Sequence, residues 1–193
     1  MARGRICQAI TFVDDVTSVG TTTQNCPLGT VREEENSLTN GAFVYRYVQF
    51  LNGTNVIAPV AGGLVYRGKT LGAPWIVTSD AGSAGSSVPA LVCGIFQSVL
   101  VTATYGWIMT RGYVATVKKT TGTNQAWVKG SYLIPNPSTT SSQKAMVMAG
   151  VLTSTTTKAL RTSLQKILSR NIGFAATAVS STTATGKAYI DIE

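Results

Sequence analysis

Between Ala42 and Val117 the chain breaks into short apolar runs separated at regular spacing by turn residues. The runs are Phe43–Phe50, Val56–Pro59, Leu64–Gly68, Trp75–Thr78, Leu91–Ser98 and Gly106–Val117. The breaks are Asn52-Gly53, Gly62-Gly63, Gly72 with Pro74, and the Ser/Gly tract Ser79–Ser87. Apolar, β-branched and aromatic runs of this length, punctuated in this way, predict strands of a compact barrel or sandwich. The expected class is all-β, in small barrel or sandwich modules, with an extended N-terminal arm and at most one short helix.

Three parts follow from this centre. Residues 1–40 read as a polar, Thr-rich arm with the acidic run Glu33–Glu35 and one short strand candidate, Ile10–Val13. Such an arm has little apolar surface of its own to bury, so it is either mobile or laid across a neighbouring subunit. Residues 41–119 form the central β-module. Phe43–Phe50 is apolar on both faces, as a buried strand is; Gly94 marks a bulge or a close backbone approach. In Gly106–Val117 the alternate set Trp107, Met109, Arg111, Tyr113, Ala115 and Val117 falls on one face, with Gly112 allowing a bend.

Residues 120–193 form a C-terminal β-module with strand candidates Ala126–Ile134 and Ala145–Leu152. Leu160, Leu164, Ile167 and Leu168 stand at helical spacing between Thr157 and Gly173, which predicts a short amphipathic helix. Ile172–Val179 and Lys187–Ile192 read as a hairpin, with Ala188, Ile190 and Ile192 facing one way and Lys187, Tyr189 and Asp191 the other. The two modules also echo one another. Gly63–Tyr66 has a counterpart in Gly130–Ile134, and Gly94–Ser98 with Tyr105–Thr110 matches Gly173–Thr177 with Gly186–Asp191. A divergent duplication of one β-module is expected.

The 193 residues contain no histidine, which removes the common Ser-His, Cys-His and imidazole–metal arrangements. Asp14-Asp15 point to opposite faces of an extended segment, and Asp80 reads as a turn cap. No residue is nominated as catalytic, cofactor-binding or metal-ligating. The three cysteines show no CxxC spacing. Cys93 reads as a small buried hydrophobe, and a Cys7–Cys26 disulfide is left open. No signal peptide or membrane-length apolar stretch is apparent, so synthesis in a reducing cytosol is expected.

Charge is uneven. Up to Arg111 seven basic residues face six acidic ones, whereas beyond it nine face two, within a net charge of +8. An acidic partner surface is implied, protein or nucleic acid. Trp127, Tyr132 and Phe174 could stack on bases, but the lysines are scattered among threonines rather than clustered. Direct nucleic-acid contact is the weaker reading.

The motifs Pro27–Arg32, Phe43–Val48, Val60–Tyr66, Trp75–Asp80, Gly94–Ser98 and Tyr105–Tyr113 resemble the small β-rich head proteins of tailed bacteriophages, the decoration or cement proteins of the capsid shell. Gly130–Ile134, Ile172–Ala176 and Ala188–Ile192 are similar in pattern to the same group. The resemblance implies a non-enzymatic virion protein on the capsid surface that forms dimers or trimers and clamps major capsid subunits, with a threading N-terminal arm. Tail, neck or head-fibre placement is the alternative within the virion; a small basic nucleic-acid-binding barrel is the alternative outside it. The partner contacts expected are Arg3, Arg5, Glu33, Glu34 and Glu35 of the arm, with Lys118, Lys119 and Lys129.

Overall fold

The computed structural model describes residues 16–17, 19–36, 41–53, 55–67, 75–80, 92–122, 125–136, 144–147 and 172–192. They form ten strands and, among them, no helix. The strands are β1 (Val31–Asn36), β2 (Gly41–Phe50), β3 (Leu64–Arg67), β4 (Ile76–Thr78), β5 (Val92–Phe96), β6 (Thr104–Lys118), β7 (Tyr132–Pro135), β8 (Ala145–Val147), β9 (Gly173–Ala175) and β10 (Thr185–Asp191). The protein is all-β. The expected helix between Thr157 and Gly173, the strand Ile10–Val13 and the Cys7–Cys26 pairing lie outside the described residues.

Five strands close on themselves. β2 pairs parallel with β4 at Gln49↔Ile76 and Phe50↔Val77. β4 pairs antiparallel with β3, β3 with β5, β5 with β6, and β6 returns to β2. Closure leaves this barrel without a free edge. Val48, Phe50, Val65, Val77, Cys93, Phe96, Leu100 and Ile108 form its own hydrophobic cluster. Phe50 and Phe96 meet edge-on at 5.8 Å. Cys93 is the small buried side chain its apolar strand predicts: its thiol donates to the Val65 carbonyl at 3.6 Å. Burial pushes that thiol up to about 12, against the opposing charge of Arg67.

Gly94 is where β5 and β6 come closest, since a Cβ there would meet the Ile108 side chain and lie 2.9 Å from the Met109 carbonyl oxygen. Gly112 sits at φ +125°, just past a register shift at Thr110 that breaks the alternation of β6. Trp107 and Met109 are buried, but Arg111 and Ala115 are exposed and Val114 and Val117 turn inward. The single face expected along Gly106–Val117 is therefore broken twice, by the register shift at Thr110 and by the one between Val114 and Val117.

A second ring begins where the first ends. The later part of β6 pairs with β10, β10 with β9, β9 with β7 and β7 with β8. A parallel bridge from Ala145 in β8 to Lys119, just past β6, completes the circuit. The pairing pattern of the first barrel is thus repeated strand for strand: β6, β7, β8, β9 and β10 stand where β2, β3, β4, β5 and β6 stood. The one parallel contact falls in the same place in both.

Hydrogen bonds set the register of the repeat. Gly62 N–H donates to Phe96 O and Phe96 N–H to Gly63 O; likewise Gly130 N–H donates to Ala175 O and Ala175 N–H to Ser131 O. Gly62, rather than Gly63, is therefore the partner of Gly130. The sequence echo was one residue out at this turn and in register at Gly94 and Gly173.

Two strand expectations are corrected. Val56–Pro59 is a loop. Its backbone is held by side chains, Ser79 Oγ on Ile57 O and Asp80 on Asn55, rather than by a ladder. Ala126–Ile134 is not one strand either. Trp127 makes an isolated bridge to Val179, a turn follows with Gly130 at φ +84°, and β7 starts only at Tyr132.

The arm expected over residues 1–40 is described from residue 16, and there it lies on the chain's own barrel. β1 pairs with β2 from Val31↔Arg46 to Asn36↔Gly41, Thr21 bridges Tyr105, and Val16 and Cys26 are buried. Glutamates disfavour strands, but an edge position on a preformed neighbour overrides that preference.

Candidate docking face

Direct cross-strand partners share a face of a sheet. In the second ring this register lines up Tyr132 in β7, Phe174 in β9, Tyr189 in β10 and Tyr113 in β6. Tyr132 is 57% exposed, Phe174 44% and Tyr189 38%; Tyr113 is half-buried. Ring centroids are 5.3 Å apart for Phe174–Tyr189 and again for Tyr189–Tyr113. Beneath them Leu133, Ala175, Ala188 and Ile190 point inward and are buried. Four adjacent strands thus present a continuous aromatic row. An exposed Arg111–Asp191 pair at 3.6 Å adjoins it.

The equivalent row of the first barrel is Leu64, Ile95, Met109 and Tyr45, again in direct register. There every member is buried, none more than 4% exposed. These four belong to the larger hydrophobic cluster, with Val16 and Cys26 of the N-terminal segment and Val114, Val117 and Trp127 of the second ring. Asn25 N–H donates to the Tyr47 hydroxyl at 3.2 Å, fixing the N-terminal segment beside the first barrel. One face of the repeated unit is covered in the first copy and bare in the second.

The residues expected from sequence to make contacts do not converge. Glu33 and Glu35 are exposed on β1 and Glu34 is half-buried beside Arg32, so this run is the solvated edge of a sheet, a placement that discourages unwanted strand pairing. Arg3 and Arg5 lie outside the described residues. Lys129 is exposed in the turn that leads into β7, and Lys118 is half-buried. Lys119 has no exposed surface of its own, so it offers no ready contact to a partner.

The Lys119 Nζ donates to the carbonyls of Thr120 at 3.1 Å and Ser181 at 3.4 Å, and no carboxylate of the described residues pairs with it. Burial lowers its pKa from the ordinary lysine value. The unfolded chain then holds this proton more tightly than the folded one. The destabilisation is full at neutral pH and is relieved as pH rises toward the unfolded value. Lys119→Met is expected to be neutral or stabilising at pH 7, with any advantage shrinking on approach to pH ~10.4; urea unfolding of both proteins across that range measures it.

Of the stacking candidates, Tyr132 and Phe174 lie in the exposed row, whereas Trp127 is buried. Tyr113 and Tyr189 complete the row and were not singled out. The alternation of Lys187, Tyr189 and Asp191 along the last strand was the available signal for Tyr189.

Asp80 caps, but at long range. Its carboxylate accepts the Asn55 backbone N–H at 3.0 Å and the Asn55 side-chain amide at 3.1 and 3.2 Å, tying the loop after β2 to the end of β4. Asp80→Ala should lower stability by about 1–3 kcal/mol, because Asn55 donors lose their acceptor; a shifted denaturation midpoint at unchanged slope would be the readout.

Among the described residues no group of His, Cys, Asp and Glu is arranged to hold a metal ion, and no helix is long and apolar enough to cross a membrane. Among the described residues the fold is a repeated β-barrel unit, and the second copy carries an uncovered aromatic row. Comparison with models of protein families, with curated proteins and with solved structures finds no match for the chain.

Proposed function

We propose that this chain is a structural protein of a virus particle, a decoration or cement protein that self-associates and binds the capsid shell of a tailed bacteriophage. The observation that carries the self-association is the aromatic row of the second ring, bare where the equivalent row of the first barrel is covered. A second copy brings the same covering elements, so it is the natural occupant. Exposed aromatic surface of this kind is where interface energy concentrates. The resemblance in turn and strand pattern supplies the virion context, and the excess of basic residues beyond Arg111 suits an acidic shell.

The test is to purify particles from the source of this sequence on a density gradient and identify their proteins by mass spectrometry. The chain should be present in many copies and be released by mild denaturant before the shell falls apart. Its absence from particles, with the protein found free in lysates, would overturn the reading.

A further inference from the structure

β2, β3, β5, β6 and the residue entering β4 surround a cavity of about 220 Å³ lined by Arg46, Arg67, Trp75, Val92, Cys93, Thr110 and Ile192. The guanidinium carbons of Arg46 and Arg67 lie 4.6 and 5.0 Å from the Trp75 ring centroid. The edge of the indole rests on Gly29, where there is no room for a Cβ, and Arg46 Nη1 donates to the Gly29 carbonyl at 3.5 Å. Both cations are therefore held in place by one ring. Two cations beside one cavity favour a counter-charge within it.

The described residues do not supply it. Their ion pairs are Arg32–Glu34 and Arg111–Asp191, and neither includes Arg46 or Arg67. Moreover, Arg67 Nε is buried with no acceptor. Buried donors are rarely left so, and an unmet one calls for an explanation. The guanidinium groups that line the cavity offer paired N–H donors of the kind a carboxylate fills with two parallel hydrogen bonds. The walls formed by Val92, Cys93 and Ile192 suit the methylenes of the side chain that carries it.

We infer that this cavity is an oxyanion site that receives a glutamate or aspartate side chain of a docking partner. Nucleic-acid backbone would need a track of cations leading from the site. The described lysines all belong to the second half of the chain, and the other described arginines, Arg32 and Arg111, are each paired with a carboxylate, so no free track of cations is seen leading from the two cavity arginines. The partner as source of the carboxylate rests on the docking reading; anion binding in the cavity does not.

The experiment follows the indole N–H resonance of Trp75 while the protein is titrated, at constant ionic strength, with a short Glu-containing peptide, glutarate, inorganic phosphate or a DNA oligonucleotide. Peptide and glutarate should give a saturable shift at Trp75. Arg67→Gln and Arg46→Gln should each weaken binding by about tenfold or more, and Arg67→Lys should rescue little because a lysine has no fork. Thermal unfolding reports whether each variant is folded, and Arg46→Gln serves if Arg67→Gln is not. No saturable shift with peptide or glutarate, or one that both glutamine variants retain, would overturn the site. A stronger response to DNA at matched salt would assign the cavity to phosphate instead. A response seen only in Glu193→Gln would show the chain filling its own cavity and would equally overturn it. Glutarate binding by a chain absent from particles would remove the docking reading and leave the oxyanion site standing.

Discussion

Trp127→Ala is expected to destabilise the protein by about 3–5 kcal/mol, the range for truncating a large core aromatic. Trp127 is 1% exposed, bridges Val179 through both backbone hydrogen bonds, and lies flat enough on Gly186 that a Cβ there would collide with its ring. The second ring closes through few long strands, so it has little else of that size inside: Leu133, Ala145, Ala175 and Ala188 are small by comparison. Against a typical total of about 5–15 kcal/mol, the loss is large enough to open this ring first. Chemical denaturation should show it, and amide exchange in β9 and β10 should quicken before that in β2. Trp127→Phe should recover much of the difference. A stable Trp127→Ala variant with weakened partner binding would instead make this tryptophan a surface contact, as its sequence context first suggested.

The second large effect concerns association rather than folding. Replacing Phe174 and Tyr189 by serine removes the middle of the aromatic row while leaving Ala175, Ala188 and Ile190 in the core. Cross-strand aromatic pairs contribute roughly 0.2–1 kcal/mol, so unfolding should shift only slightly. Aromatic hot spots at an interface contribute about 2 kcal/mol or more each, so losing both should weaken self-association by several hundredfold. Sedimentation velocity over a range of concentrations separates the two: the variant should remain folded and move as a smaller species. An unchanged sedimentation profile would mean that the row faces solvent in the assembly too.

The two predictions come from the same strands because the ring uses alternate residues for opposite purposes. That alternation was legible in the last strand, where Ala188 and Ile190 separate cleanly from Lys187, Tyr189 and Asp191. The runs that became β2 through β6 were legible from the turn residues between them, and the repeat was visible as Gly94 against Gly173. Other features depended on pairing between distant segments. Nothing local says that Glu33–Glu35 is a strand, since its order comes from lying along β2. Nothing local buries Lys119, whose place is fixed by Ala145 on one side and Ser181 near its amine. Nothing local announced the register shifts at Thr110 and before Val117, which change the faces of β6. The aromatic row brings together residues 113, 132, 174 and 189, and only the ring's register puts them side by side. Arg46, Arg67 and Trp75 are similarly scattered, and their convergence on one cavity belongs to barrel closure.

The most direct test of the docking face is the mass of the purified protein in solution by light scattering, at low and high salt, with and without DNA. Cover by a second copy predicts a dimer or trimer whose mass survives high salt, because the contact is mainly apolar, and ignores DNA. A monomer that joins DNA at low salt and leaves it at high salt would contradict that account and turn the aromatic row into a stacking platform for nucleic acid.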